Sequence, residues 1–236
     1  MRSKSNGAAP RIITIDGPGG VGKSTVAKLL ADRLGVTYLD TGATYRALAY
    51  ATLRQDLNAV TAVNEIAALA RRLPLRLEPV KGGGLTVWLD GQNITQEIRR
   101  ERVSEEAAFV SQHPKVREAM VKLQRNLATR RSVVVEGRDT GSVVFPHAQH
   151  KFFLTANPEV RARRRHQEIK KRYGMDASLA EVREKLEVRD RLDRTRKVGP
   201  LKKPRGAIAI DTSHRTAPEV VRVMLRHIAG PRRKPS

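Results

Sequence analysis

The sequence predicts an α/β fold in which helices cover both faces of a parallel sheet. Five short apolar segments recur along the 236 residues, and each is bounded by turn or helix signals. Helical patterns separate these segments, and strands that alternate with helices join into parallel sheets. A glycine-rich loop directly after the first segment fits the same class. The predicted strands are residues 12–16, 36–39, 133–136, 152–155 and 207–211.

Residues 17–24 read Gly-Pro-Gly-Gly-Val-Gly-Lys-Ser, which matches the phosphate-binding loop G-x-x-x-x-G-K-[ST]. The glycines let successive backbone N–H groups point at phosphate oxygens. Lys23 can reach the outer phosphates, and the Ser24 hydroxyl can bind Mg²⁺. A helix predicted over residues 25–34 adds its positive N-terminal end. The alternative is a glycine-rich turn that binds nothing. The predicted ATP-binding residues are Gly17, Pro18, Gly19, Gly20, Val21, Gly22, Lys23, Ser24 and Thr25.

The segment between the second and third predicted strands departs from the alternating pattern. Residues 75–77 and 85–89 alternate in period two around three glycines, which predicts an antiparallel hairpin. Helical patterns precede it over residues 61–73 and follow it over residues 103–129. We therefore expect residues 60–110 to form an insert that stands apart from the parallel sheet.

Helix starts are well marked in the second half of the chain. Asn157 and Pro158 offer an N-cap followed by a proline at the first helical position. The Ser/Thr-x-x-Glu pattern of a capping box occurs at Ser178 with Glu181 and at Thr216 with Glu219. Each of these signals predicts the first turn of a helix.

The composition is strongly basic, with 46 lysine and arginine residues against 24 acidic residues and a net charge of +22. This excess favours an anionic partner or substrate, although part of it is expected to be a solvated helix face. The absence of cysteine excludes disulfides, thiolate catalysis and cysteine-bound metals. No apolar run approaches the length of a membrane span, so we expect a cytoplasmic protein without a membrane partner. We expect flexible tails at residues 1–10 and 229–236.

Two charged clusters at strand ends suggest a second ligand beside the triphosphate. Residues 40–46, Asp-Thr-Gly-Ala-Thr-Tyr-Arg, follow the second predicted strand, and residues 136–139, Glu-Gly-Arg-Asp, end the third. Ligands of open α/β sheets bind beyond the carboxyl ends of the strands, where an arginine can bind phosphate with its forked donors. A helix cap with a surface arginine would also explain the first cluster, and a surface turn the second.

A third cluster, residues 189–196, is rich in arginine. Arg189, Asp193 and Arg196 are spaced to share one face of a helix. An isolated salt-bridged helix would show the same spacing. Several arginines on a mobile segment would also suit a lid that closes over the charged transition state of phosphoryl transfer.

Together, the loop and the clusters make the chain resemble the bacterial cytidylate kinases, a family of nucleoside monophosphate kinases. The resemblance runs in one order from about residue 11 to residue 228. The P-loop alone is shared by many families, whereas the combination of motifs is specific. The matching segments are Ile-Asp-Gly-Pro at 15–18, Leu-Asp-Thr-Gly-Ala-Thr-Tyr-Arg at 39–46, Glu-Gly-Arg-Asp at 136–139, Gly-Ser-Val-Val-Phe-Pro at 141–146, and 189–201, which begins Arg-Asp and ends Pro-Leu.

The resemblance implies a P-loop NTPase-like fold with a five-stranded parallel sheet flanked by helices, an inserted monophosphate-binding domain and a helical lid. The core would comprise residues 11–59 and 111–228, with the lid at about 158–200 and the insert at 60–110. The implied reaction transfers the γ-phosphate of ATP to CMP or dCMP, with Mg²⁺ as cofactor.

The resemblance also assigns roles to residues. Arg117 and Asp139 would face the cytosine, and Asp193 would lie near the sugar. The implied catalytic residues are Lys23, Arg138, Arg189 and Arg196, with Ser24 at the metal. The implied CMP-binding residues are Thr41, Arg46, Arg117, Arg138, Asp139, Arg189, Asp193 and Arg196.

This chain departs from the family pattern at two positions. Thr41 stands where the family often has serine, which keeps the hydroxyl. A serine expected to help read the base falls on Ala108 when the alignment is counted from Arg117. Ser104 and Ser111 lie nearby on the same predicted helix. Either the register differs here, or base recognition lacks one hydrogen bond.

Two other functions stay open at the level of the sequence. A P-loop kinase could act on another small acceptor, such as UMP, shikimate or gluconate. A basic P-loop protein could instead bind nucleic acid, although the sequence shows no recognised nucleic-acid-binding motif and few aromatic residues for base stacking. We expect nucleic-acid binding to be non-specific at most, and the protein to be a monomer.

Overall fold

A computed structural model describes residues 11–80, 84–129, 131–173 and 177–229. The strands in these ranges are β1 (Ile12–Asp16), β2 (Thr37–Asp40), β3 (Leu75–Val80), β4 (Gly84–Leu89), β5 (Gln92–Asn93), β6 (Val133–Gly137), β7 (His150–Thr155) and β8 (Ile208–Asp211). The α-helices are α1 (Lys23–Leu34), α2 (Thr41–Arg54), α3 (Val63–Arg71), α4 (Glu101–Val110), α5 (Pro114–Leu127), α6 (Pro158–Tyr173), α7 (Leu179–Thr195) and α8 (Ala217–Ala229).

The predicted parallel sheet is confirmed. Within the described ranges, five strands pair in the order β2-β6-β1-β7-β8, and every neighbouring pair runs parallel. β2 begins at Thr37, one residue later than predicted, because the backbone N–H of Val36 still donates to the carbonyl of Ala31 at the end of α1. β7 begins earlier than predicted, since His150 already pairs with Ile13 of β1.

Helices cover both faces of this sheet, as the sequence predicts for buried parallel strands. Along β6, Val134 packs into a cluster that includes Leu30 of α1 and Met224 of α8. Its neighbours Val133 and Val135 point the other way and pack near the end of α5. All three valines are fully buried. The alternation places the core on both sides of the sheet, and it leaves the carboxyl ends of the strands free for ligands.

The predicted hairpin is confirmed as part of a separate three-stranded antiparallel sheet, ordered β3-β4-β5. Leu75 pairs with Leu89, and Val80 pairs with Gly84. The turn itself, residues 81–83, lies outside the described residues. A further hydrophobic cluster joins β4 to α2, α3, α4 and α5. The boundary of the insert at residues 60–110 stays a prediction.

The stretch predicted as helical over residues 103–129 forms two helices. α4 ends at Val110, and α5 begins at Pro114, whose fixed backbone suits the first helical position. The capping box at Ser178 and Glu181 is present with both of its hydrogen bonds. Helix starts at residues 158, 179 and 217 agree with the sequence signals.

The ends of the chain were predicted to be flexible. Residues 1–10 and 230–236 lie outside the described residues, and Ala229 is the last residue of α8. No helix in the described part of the chain is both long and apolar enough to cross a membrane.

Candidate active site

A cavity of about 1160 Å³ opens at the carboxyl ends of the parallel strands. The phosphate-binding loop forms one wall, and the ends of β2 and β6 form the floor. Helices α4, α6 and α7 contribute further walls, together with residues of α1, α2 and α8. Of the eight residues predicted to bind CMP, seven line this cavity: Thr41, Arg46, Arg138, Asp139, Arg189, Asp193 and Arg196. The eighth, Arg117, is bonded to Asp139 just behind the wall.

The phosphate-binding loop runs from β1 into α1, which begins at Lys23. Gly20 has a φ of 74°, in the left-handed region that favours glycine. The ammonium of Lys23 donates to the carbonyl of Pro18 at 2.7 Å and is buried. Burial, reinforced by the guanidinium of Arg138, lowers the pKa of Lys23 to about 7. A bound polyphosphate would therefore meet a lysine that readily takes up a proton.

The hydroxyl of Ser24 donates to the carboxylate of Glu136 at 3.0 Å. The hydroxyl of Tyr38 donates to the other oxygen of the same carboxylate. Burial raises the pKa of Glu136, and Asp40 adds to the effect. The described residues contain no group of three or more His, Cys, Asp or Glu side chains that could hold a metal. A hydroxyl beside one carboxylate nevertheless suits Mg²⁺, which binds oxygen and keeps several waters or phosphate oxygens.

The end of β2 carries Asp40, which has two partners. Its carboxylate accepts from the backbone N–H of Ala43 at 3.0 Å as the N-cap of α2, and from Arg46 at 2.8 Å. The helix cap considered from the sequence therefore exists, and Arg46 also lines the cavity. The Thr41 hydroxyl donates to the backbone carbonyl of Glu136 at 2.7 Å, which joins β2 to β6 at the floor.

Arg117 and Asp139 form an ion pair in which Arg117 is only 1% exposed. Arg196 approaches the second oxygen of Asp139 at 3.2 Å. Gly199 packs so closely against this pair that a Cβ there would overlap both Asp139 and Arg117. Its φ of 60° also lies in the left-handed region that favours glycine. The two residues predicted to face the base are thus neighbours, and an arginine from beyond α7 joins them.

Arg138 points away from its neighbour Asp139 and donates to Asp193 at 2.8 Å. Burial alone would raise the pKa of Asp193, but Arg138, Arg189 and Arg196 together hold it below its ordinary value. Burial, with Arg138 nearby, lowers the pKa of Arg189 to about 10, so this guanidinium is still charged at neutral pH. The side of the cavity between the end of β6 and α7 therefore concentrates positive charge.

The prediction that Arg189, Asp193 and Arg196 share a helix face is wrong for Arg196. α7 ends at Thr195, and Arg196 is its C-cap in extended conformation. The chain then turns back at Gly199, and the backbone N–H of Leu201 donates to the carbonyl of Asp193. The side chain of Arg196 still reaches Asp193 at 3.4 Å, because the turn directs it into the cavity.

The structure shows which residues of α4 and its C-cap face the cavity near Ala108. Ser104, Ala107 and Ser111 line the cavity, whereas Ala108 does not. Residues three and seven apart share a helix face, so the register of this helix presents Ser104 and Ser111 instead. Ser111 donates to the carbonyl of Ala108 at 2.9 Å.

Sequence reasoning gave no role to three residues of this region. Among the described residues, the buried hydroxyl of Tyr45 has no hydrogen-bond partner, and burial raises its pKa to about 12. Arg161 and Asp190 contact the phosphate-binding loop from α6 and α7. Arg161 lies in a segment so rich in arginine that no local signal separates it from its neighbours.

A phosphate-binding loop between a strand and a helix, faced by arginines from α2, from the end of β6 and from α7, defines a P-loop protein for phosphorylated ligands. Comparison with known proteins narrows this class. A protein family described as Cytidylate kinase matches residues 13–230. The chain belongs to this family.

Individual relatives agree over nearly the whole chain. The cytidylate kinase of Caldanaerobacter subterraneus subsp. tengcongensis is 48% identical over 209 residues, which cover 89% of this chain and 90% of the relative. That of Pelotomaculum thermopropionicum is 43% identical over 224 residues, covering 94% and 97%. That of Desulfitobacterium hafniense is 45% identical over 209 residues, covering 89% and 88%.

Proposed function

We propose that the protein transfers the γ-phosphate of ATP to CMP or dCMP, giving ADP with CDP or dCDP. Membership of the cytidylate kinase family carries this proposal. The geometry supports it, because Lys23 of the phosphate-binding loop and the arginines proposed for the acceptor line one cavity. Family membership does not favour the two alternatives, a kinase for another small acceptor or a nucleic-acid-binding protein.

The reaction asks for positioning and charge neutralisation more than for covalent chemistry. The loop would hold the triphosphate, with Lys23 at the transferring group. Arg46 of α2 and Arg138 at the end of β6 would bind the acceptor phosphate, while Arg189 and Arg196 would approach from α7 and its C-cap. No general base is needed, since a phosphate monoester oxygen is already anionic near neutral pH. A lid at about residues 158–200 would exclude water, which would otherwise hydrolyse ATP.

Mg²⁺ would neutralise the phosphate charge as part of the MgATP substrate. Ser24 and Glu136 would hold it, because their oxygens meet at the cavity wall. Two protein oxygens of this kind match an ion that is otherwise coordinated by water and phosphate.

Base selection would rest on Arg117 and Asp139. An ionised carboxylate has about four acceptor positions. Arg117 and Arg196 approach its two oxygens, so acceptor capacity is left for the amino group of cytosine. The hydroxyl of Ser104 would be available from α4, the hydroxyl of Ser111 at the C-cap would be available as an acceptor, and Asp193 would lie near the sugar.

A coupled ADP-release assay tests the proposal, with CMP, dCMP, UMP, AMP, GMP, dTMP and shikimate offered in parallel. CMP or dCMP should be the preferred acceptor. Equal use of CMP and UMP would reduce the assignment to a P-loop monophosphate kinase of unknown base. Cytoplasmic location and a monomeric state stay predictions, and light scattering at assay concentrations tests the second.

A further inference from the structure

Two side chains from α6 and α7 hold Gly19 of the phosphate-binding loop by both of its backbone groups. Nε of Arg161 donates to the Gly19 carbonyl at 2.7 Å. The Gly19 N–H donates to Oδ1 of Asp190 at 3.4 Å. Arg161 and Asp190 then close the ring, with Nη2 donating to Oδ2 at 2.5 Å. The three residues lie far apart in the sequence, so only the tertiary structure brings them together.

This contact is buried and closely packed. Arg161 is 7% exposed and Asp190 is 3% exposed. A Cβ on Gly20 would lie 2.8 Å from the backbone oxygen of Arg161, and one on Gly19 would lie 3.0 Å from Leu186 of α7. The first turn of α6 and the middle of α7 therefore press directly on the loop. The loop cannot shift in this arrangement unless the two helices shift with it.

The same pair fixes the position of α7 relative to the cavity. Asp190 directly follows Arg189, which lines the cavity, and precedes Asp193, the partner of Arg138, by one helical turn. Leaving either charge of a buried ion pair without its partner is strongly unfavourable. Arg194 is no substitute for Arg161, because it lies 4.0 Å from the Asp190 carboxylate and is largely exposed. The pair should therefore form or separate as a unit.

We propose that Arg161 and Asp190 are a positioning pair that locks the α6–α7 segment onto the phosphate-binding loop. The pair sets the loop for the triphosphate and, in the same movement, brings Arg189 and Asp193 to the cavity. Neither residue needs to touch a substrate. The proposal rests on the proposed function only in taking the loop as the ATP site.

Distance measurement between spin labels tests the lock directly, and a chain without cysteine needs no background substitutions. One label goes on Arg33→Cys at the exposed end of α1, the other on Glu184→Cys on the exposed face of α7. With a non-hydrolysable ATP analogue, the wild-type background should give one narrow distance distribution. Asp190→Asn should broaden it, because the neutral amide no longer holds the guanidinium. An unchanged distribution in Asp190→Asn would overturn the proposal.

A matched control comes from a second ion pair between the same helices. Arg183 and Glu159 lie 3.5 Å apart, and both side chains are about half exposed. Glu159→Gln is the same acid-to-amide change as Asp190→Asn, without burial or contact to the loop. It should leave the distance distribution unchanged, and broadening by Glu159→Gln as well would also overturn the proposal.

Kinetics separate a positioning role from a purely structural one. Asp190→Asn should lower kcat/KM for ATP by about tenfold to a hundredfold, because misplacement of a positioned group by about 1 Å can cost about a hundredfold. Its kcat/KM for CMP should fall as well, because the displaced α7 carries Arg189 and Asp193, whereas a purely structural role would lower only the thermal stability of the variant. If Asp190→Asn does not fold, Arg161→Lys carries both measurements, since it keeps the charge but lacks the two separate donor nitrogens with which the guanidinium binds Gly19 and Asp190. Wild-type kinetic constants in a variant that has lost only thermal stability would contradict the proposal.

The role of the Arg161–Asp190 pair and the proposed kinase function are tested by different measurements, so either can fail without the other. The distance measurement uses only the triphosphate analogue and needs no acceptor. A wild type that binds the analogue but does not phosphorylate CMP would remove the proposed function and leave the lock to be judged by its distances.

Discussion

Lys23 is the residue whose protonation should link triphosphate binding to pH. Burial, reinforced by Arg138, lowers its pKa to about 7 in the free protein. A bound triphosphate favours the ammonium and raises that pKa again. The contribution of Lys23 to ATP affinity should therefore be constant below about pH 7 and fall as pH rises above it, where binding takes up close to one proton per ATP.

Calorimetry in buffers of different ionisation enthalpy measures this proton uptake. Lys23→Met should lose the proton uptake that belongs to the lysine and keep the titration that belongs to ATP itself. Arg33→Ala, at the exposed end of the same helix, should keep the wild-type profile. The same profile in wild type and Lys23→Met would place the titrating group elsewhere.

Asp139 should decide between cytosine and uracil. UMP presents a carbonyl oxygen where CMP presents an amino group, so an ionised Asp139 would face an acceptor instead of a donor. We expect kcat/KM for CMP to exceed that for UMP by about a hundredfold, equivalent to about 3 kcal/mol. Asp139→Ala should reduce activity with CMP far more than with UMP and narrow this gap.

Steady-state kinetics with both acceptors measure the gap. Loss of Asp139 also leaves Arg117 buried without its ion-pair partner, so a thermal melt of the variant belongs beside the kinetics. A preference for CMP that survives Asp139→Ala would mean that the base lies elsewhere in the cavity.

At the scale of the element, α7 and its C-cap should contribute to the transition state. Arg189 and Arg196 are partly or fully buried, carry positive charge and line the cavity. Alanine at either position should lower kcat more than it raises KM for ATP, because contacts made mainly in the transition state appear in kcat. Initial-rate measurements over a matrix of ATP and CMP concentrations separate the two constants.

Arg191→Ala is the matched control for this element, since Arg191 is exposed on the same helix. It should keep the wild-type kcat. If Arg189→Ala and Arg196→Ala also keep it and lose only thermal stability, these arginines are structural.

At the scale of the whole molecule, the net charge of +22 is larger than the net charge of the residues that line the cavity. Binding to a random DNA duplex should be weak and non-specific, and it should fall steeply as salt rises, because it depends on counterion release. Fluorescence anisotropy of a labelled duplex across a salt series measures it, with kinase activity followed in parallel. Tight binding at about 0.15 M salt that inhibits the kinase would revive nucleic acid as a partner.

Prediction from the sequence succeeds for the fold because its signals are local. Runs of apolar residues placed all five strands of the parallel sheet, with shifts of one or two residues at their ends. The glycine-lysine-serine spacing predicted the loop, and Ser178 with Glu181 predicted the start of α7. These features depend on dihedral preferences and hydrogen bonds within a few residues, so the sequence alone determines them.

Only the tertiary structure decided which charges meet. Arg138 and Asp139 are adjacent in sequence, yet they pair with Asp193 and Arg117 on different elements. Helical spacing predicted that Arg196 lies on α7. The helix instead ends at Thr195, and the chain turns at Gly199. The contact of Arg161 and Asp190 with the loop left no trace in the sequence. Ion pairs and close packing join residues distant along the chain, and their strength depends on burial that local patterns do not encode.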